Sequence, residues 1–250
     1  MFDSKNFKQY RQQLGFNSKI TFSDFLSAKD IQADIDFNYI ELLNTRIKDI
    51  FYKINHISYI KQEDIQLFLQ NNLNSVFNQL KQNGILNKLN NQGRRKEEVY
   101  FSWIRGYLML EYFKPAIAQI FNVNINHIQS IGDDDFSNID TFKRTPKADL
   151  QINHYRIEVQ SGFKGINDIK QHKVLEAKKI YLENKTETIV LHFDLFNGQV
   201  AFVNISNISE QDINWITRQQ MEGQTVFNID QNYFKWLITD KPPKLVDILD

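Results

Sequence analysis

The spacing of apolar residues divides the chain into a helical first part and a strand-bearing second part. Phe37, Ile40, Leu43, Ile47, Ile50 and Phe51 recur at three- and four-residue steps, and so do Ile65, Phe68, Leu69, Leu73, Val76 and Leu80. That period puts one apolar stripe along each of two helices. Gly84 stands where the second helix would end, and residues 90–93 read as a loop. GRRKEE at 93–98 reads as a solvated joint leading into the next helix. Residues 101–121, FSWIRGYLMLEYFKPAIAQIF, are apolar nearly all round, which predicts a helix packed inside the domain. Pro115 predicts a kink or a split in it.

Beyond residue 147 the period shortens to two. Residues 148–152 and 156–160 alternate apolar and polar side chains, and residues 187–193 and 199–205 are rich in Val, Ile and Phe. All four read as strands. Between the two pairs a helix is expected over 168–183, with Asn167 as N-cap. A second short helix is expected over 210–220. The order is helices, a hairpin, a helix and a second strand pair. It predicts an α/β (α+β) fold with a mixed central sheet flanked by helices. A helical N-terminal region would occupy residues 1–100 and a core with a C-terminal extension residues 101–250.

Composition narrows the function classes. Of the 250 residues 42% are hydrophobic and 24% charged, which excludes a disordered chain. No cysteine is present, so a disulfide scaffold, a thiolate nucleophile and any Cys-ligated zinc or iron–sulfur site are excluded. No apolar run reaches the roughly 18 residues that a transmembrane helix needs. The opening MFDSKNFKQYRQQLGF lacks the apolar stretch of a secretory signal, so a cytoplasmic location with no membrane partner is expected.

Net charge is zero, but it is unevenly spread. Residues 1–100 hold 14 basic and 11 acidic side chains, 101–140 hold 2 and 5, 141–185 hold 10 and 5, and 186–250 hold 4 and 9. A local basic field at 141–185 bears more on an anionic partner than the net charge does.

The chemistry concentrates in that same segment, at PKADLQINHYRIEVQ over 146–160. A two-residue turn at Asn153-His154 would set Ile152 opposite Tyr155 and Leu150 opposite Ile157. The same register sets Asp149 opposite Glu158. Opposed residues have β-carbons about 4.5–5.5 Å apart, and like charges there destabilise a sheet. A hard divalent cation would resolve the conflict, because paired carboxylate oxygens suit Mg²⁺. Gln160 would share their face. Its amide can orient a water molecule but cannot act as a cation.

Asp149 on one strand followed by Glu158-Val159-Gln160 on the next resembles the PD-(D/E)xK nuclease superfamily. It is most similar to type II restriction endonucleases, a minority of which carry Gln where most carry Lys. Asp149 and Glu158 are nine positions apart, a spacing typical of the group, and Ala148 stands where the literal motif has proline. The resemblance spans about residues 101–205 and implies a restriction-endonuclease-like core.

It further implies Mg²⁺-dependent hydrolysis of phosphodiester bonds in double-stranded DNA at a specific short sequence. Asp149 and Glu158 would be the metal ligands, and Gln160 would fill the place of the usual lysine. Glu111 on the preceding helix would lend a further carboxylate. A homodimer would match a palindromic site. A cognate DNA methyltransferase acting on the same site, without direct binding, would protect the host. Two alternatives stand beside this reading: a structure-specific or repair nuclease of the same superfamily, and a DNA-binding protein without catalysis.

Around the hairpin, Lys143, Arg144, Lys147, Lys164, Lys170, His172 and Lys173 are the expected DNA contacts, with Lys164 and Lys170 also placed to substitute for the missing lysine. Ser161-Gly162-Phe163-Lys164-Gly165 has neither a Walker Lys-Ser/Thr pair nor a GxGxxG pattern. Asp133-Asp134-Asp135 lacks the ligand spacing of an EF-hand and reads as a turn with solvated carboxylates. The histidines at 56, 127, 154, 172 and 192 form no HExxH, and no GxSxG occurs, which leaves a zinc peptidase or serine hydrolase without support.

Overall fold

Helix α1 spans Ser4–Leu14 and α2 Lys19–Leu26, and neither buries a residue. In helix α3, Phe37–Ile57, the apolar stripe becomes the buried row Ile40, Leu43, Ile47, Phe51 and Ile54. Asp36 caps it by accepting the Tyr39 N–H. The computed structural model of the chain describes residues 4–16, 18–26, 34–89, 94–132, 136, 147–218 and 223–248. The second stripe runs through α4, Ile65–Leu69, a π-helical stretch, Gln70–Asn74, and α5, Ser75–Gln82. Ser75 Oγ donates to the Gln70 carbonyl five residues back, and Leu73 stays buried through the wider turn. Gly84, at φ +67°, ends α5 as expected, and the short helix α6, Ile85–Lys88, follows.

Helix α7, Lys96–Ile120, is longer than the sequence suggests and is not split at Pro115. Its first turn also departs from a solvated joint. Glu97 is buried and accepts the Asp36 N–H at 2.6 Å, which ties the start of α7 to the cap of α3. Residues 90–93 lie outside the described residues.

The strands and the remaining α-helix are β1, Gln129–Ser130; β2, Leu150–Ile152; β3, Tyr155–Gly162; β4, Asp168–Lys170; α8, Gln171–Asn184; β5, Glu187–Asp194; β6, Gln199–Asn204; β7, Trp215–Arg218; β8, Gln224–Asn228; and β9, Phe234–Leu237. Six strands form a mixed sheet in the order β1-β2-β3-β5-β6-β9, with β3 and β5 parallel and the other neighbours antiparallel. The fold is therefore mixed α+β with a helical N-terminal region.

Strand alternation assigns the two faces. Ile157, Ile189, Leu191, Phe193, Val200 and Phe202 enter the core shared with α3 to α7. Val190, Ala201 and Val203 enter a second core with Val174 and Ala177 of α8, Ile169 and Phe227. Both faces of β5 are covered, which explains its nearly uninterrupted apolar sequence.

Two helix expectations are overturned. Residues 168–170 are strand β4, and α8 starts at Gln171 with Lys170 in the N-cap position and no side-chain cap bond. Asn167 Oδ1 faces His192 Nε2 at 2.9 Å instead. Asp168 receives both arms of Arg218, at 2.8 and 3.0 Å, and Ile169 pairs with Phe227 in the ladder. Those long-range partners outweigh the local capping signal. Likewise no helix covers 210–218. Trp215-Ile216-Thr217-Arg218 forms β7, paired with β8, so that β4-β8-β7 makes a second antiparallel sheet of three strands. The β-branched and aromatic side chains there suit a pleated surface.

Candidate active site

The hairpin closes as its side chains predict. Leu150 pairs with Ile157 and Ile152 with Tyr155, and Asn153 adopts the left-handed φ of +51° that the tight turn requires. The ladder stops one position short of Asp149 and Glu158. Asp149 is held by its backbone: its N–H donates to the Ile157 carbonyl at 3.0 Å, and its carbonyl accepts from Ile131 at 2.9 Å and Gly132 at 3.2 Å. Its carboxylate accepts the Val159 N–H at 2.7 Å. That bond places the Asp149 carboxylate beside the residue between Glu158 and Gln160.

Glu158 is only 5% exposed, on the sheet face that α8 covers. Lys173, in the first turn of α8, donates to Glu158 Oε1 at 2.5 Å, and Gln160 Nε2 donates to the same oxygen at 3.2 Å. Glu158 Oε2 is buried and meets no hydrogen-bond donor. Arg156, two residues earlier on β3, pairs with Glu176 of α8 at 2.9 Å, so two ion pairs clamp the helix onto the strand.

The structure gathers Glu158, Gln160 and Lys173, and holds the Asp149 carboxylate on the Val159 N–H. Other expected residues fall elsewhere. Glu111 lies on α7, whose apolar side packs on the opposite sheet face, and Lys114 takes its carboxylate at 3.1 Å. Among the described residues no group of three or more His, Asp or Glu is placed to hold a metal ion. Lys147 and Lys164 are exposed, Lys170 is half-buried in β4, and His172 is exposed at the start of α8. Partial burial, then Lys170 and Lys173, hold the His172 imidazole below its ordinary value. Lys143, Arg144 and the run Asp133-Asp134-Asp135 lie outside the described residues.

Two features of this region were not foreseen. Lys173 reaches Glu158 because the crossover from β3 to β5 folds α8 back over the strand, and a separation of fifteen residues does not reveal that. His192, in register with Gln160 on β5, is 3% exposed and neutral. Burial pushes it down to about 4 against the opposing pull of Asp194 and Asp168. Asn167 Oδ1 can only accept, so His192 Nε2 carries the proton and its Nδ1 is a buried acceptor without a donor.

A cleft of 690 Å³ lies elsewhere, lined in part by Glu187, Phe202, Asn204, Asp212, Tyr233 and Lys235. No candidate residue lines it. No family model, curated protein or solved structure matches the chain. Among the described residues no helix is long and apolar enough to cross a membrane.

Proposed function

We propose that the chain is a Mg²⁺-dependent endonuclease of double-stranded DNA with a restriction-endonuclease-like core, cutting at a specific short sequence as type II restriction enzymes do. The observation that carries the reading is the state of Glu158: one carboxylate oxygen bound to Lys173 and Gln160, the other buried and without a donor, on the hairpin that also fixes Asp149.

An orphaned buried carboxylate oxygen on the hairpin that also carries Asp149 would suit a hard divalent cation. Asp149 and Glu158 would hold it, without Glu111, which Lys114 engages on the other face of the sheet. Mg²⁺ bound there supplies Lewis acidity toward a phosphoryl oxygen. The chain's own groups do the rest. Val159 N–H holds one oxygen of the Asp149 carboxylate. Gln160 donates to Glu158 Oε1 and helps hold that carboxylate in place. Lys173, paired with Glu158, would supply the positive charge that Gln160 cannot and would offset charge that builds on the phosphate.

Double-stranded DNA is the proposed partner, with a homodimer matching a two-fold target and a methyltransferase acting on the same site. Supercoiled plasmid incubated with Mg²⁺ should be linearised by the wild-type protein and left intact by Asp149→Ala and Glu158→Ala, while both variants still shift DNA in a gel. Binding without cutting by the wild type would instead favour a DNA-binding protein without catalysis.

A further inference from the structure

Helix α7 carries a guanidinium that no carboxylate of the described residues answers. Arg105 is half-buried, and its Nε is shut off from solvent and meets no hydrogen-bond acceptor. Its head lies 4.3 Å from the centre of the Phe163 ring and 5.7 Å from that of Phe101. Among the described residues no carboxylate pairs with it. Glu111, six residues along the helix, is taken by Lys114. Burial and the neighbouring Arg94 hold Arg105 below the ordinary arginine range. Arg94 lies 3.9 Å from the Glu98 carboxylate and donates to the Glu98 carbonyl at 3.2 Å, with both side chains about half exposed. Lys164 adds another cation over the same Phe163 ring at 5.7 Å.

Removing a guanidinium from water without a partner is unfavourable, and stacking on an aromatic face returns only part of the loss. Cations collected around one ring, with no carboxylate among them, leave a positive field that suits an anion. A planar fork of N–H donors matches phosphate oxygens. Phe163 is 47% exposed, so the stack stays open to a large ligand. The position also matters: Phe163 follows directly on β3, five residues past Glu158 and so roughly 17 Å further along an extended chain. A phosphate bound there flanks the cleaved one rather than coinciding with it.

We infer that Arg105, stacked on Phe163 and supported by Lys164, is a second anion site that takes a backbone phosphate of the DNA. The source of the phosphate rests on the nuclease reading; the chemistry is shared with free phosphate. The test uses the full chain with Ca²⁺ in place of Mg²⁺, so that a fluorescent duplex is bound and not cut. Arg105→Gln should bind roughly tenfold more weakly, and its slope of log affinity against log salt should be shallower by about 0.9, one phosphate contact fewer. Arg105→Lys should keep the slope. Lys164→Gln, at an exposed position, should lower it as well and serves if Arg105→Gln does not fold.

In a series of duplexes with single methylphosphonates, one position should weaken the wild type and leave Arg105→Gln indifferent. Inorganic pyrophosphate, titrated in parallel and followed by melting temperature, separates the sources. Stabilisation of the wild type but not of Arg105→Gln, with identical DNA binding by both, would overturn the backbone source. A wild type that binds no duplex overturns the nuclease reading, and the pyrophosphate arm then judges Arg105 alone. Equal responses of wild type and Arg105→Gln to both ligands overturn the site.

Discussion

Removing the Lys173 ammonium should destabilise the protein more than removing its partner's charge, and the two losses should not add. The pair is close and poorly solvated: 2.5 Å between Nζ and Oε1, with 17% of the lysine and 6% of the glutamate side chain exposed. At an effective dielectric constant near 20 the gross attraction at that distance is about 7 kcal/mol, most of it spent on desolvating the two charges. Breaking a buried pair by deleting one partner costs roughly 3–5 kcal/mol, because the other charge is left buried and alone. Lys173→Met strands Glu158 with only the Gln160 amide and should lie at the lower end, about 3 kcal/mol, since the lysine is partly exposed. Glu158→Gln leaves an ammonium that can swing toward solvent and should cost about 1 kcal/mol.

The double variant has no charge to strand. Its loss should fall short of the sum by about 2 kcal/mol. Urea unfolding of all four proteins at pH 7, with equal m-values confirming equal exposure on unfolding, gives the cycle directly. A Lys173→Met loss below about 0.5 kcal/mol, additive with Glu158→Gln, would mean that the ammonium is solvated, and would remove Lys173 from the site.

Other expectations follow from the same neighbourhood. His192 protonates near 6.5 in the unfolded chain and near 4 in the folded one, so its contribution is complete above pH about 6.5 and is lost as pH falls toward 4. The loss between those limits is about 3 kcal/mol and should be missing from His192→Gln; parallel stability–pH curves for the two proteins would refute the burial argument. A β-carbon at Gly162 would stand 2.9 Å from the Ile166 carbonyl oxygen and 3.2 Å from His192 Nε2. Gly162→Ala should therefore displace the backbone there and cost about 1–3 kcal/mol in urea unfolding, whereas a loss below about 0.5 kcal/mol would mean that the loop yields freely.

What the chain reveals before folding depends on how local the information is. The hairpin register is local: a two-residue turn and alternating side chains place Leu150 against Ile157 without reference to anything else. The stripes of α3 and of α4 with α5 are legible for the same reason. Asp149 and Glu158 come together because one hairpin carries both. Failure begins where partners are distant. Asn167 looks like a helix cap until His192, on strand β5, faces its oxygen. Asp168-Ile169-Lys170 reads as a first helical turn until β8 pairs with it and Arg218 takes the carboxylate. Glu97 looks solvated until the Asp36 N–H, sixty-one residues away, needs an acceptor. Lys173 and Arg105 are ordinary basic residues in the sequence; what sets them apart is a buried carboxylate beside one and its absence beside the other.

The nuclease reading is tested most directly by digesting unmethylated phage DNA with purified protein and Mg²⁺, beside Glu158→Ala and an EDTA control. Discrete fragments that vanish in both controls are the predicted result, and their ends would give the target sequence. Intact DNA across a range of salt concentrations, from protein that is folded and binds the duplex, would contradict the account.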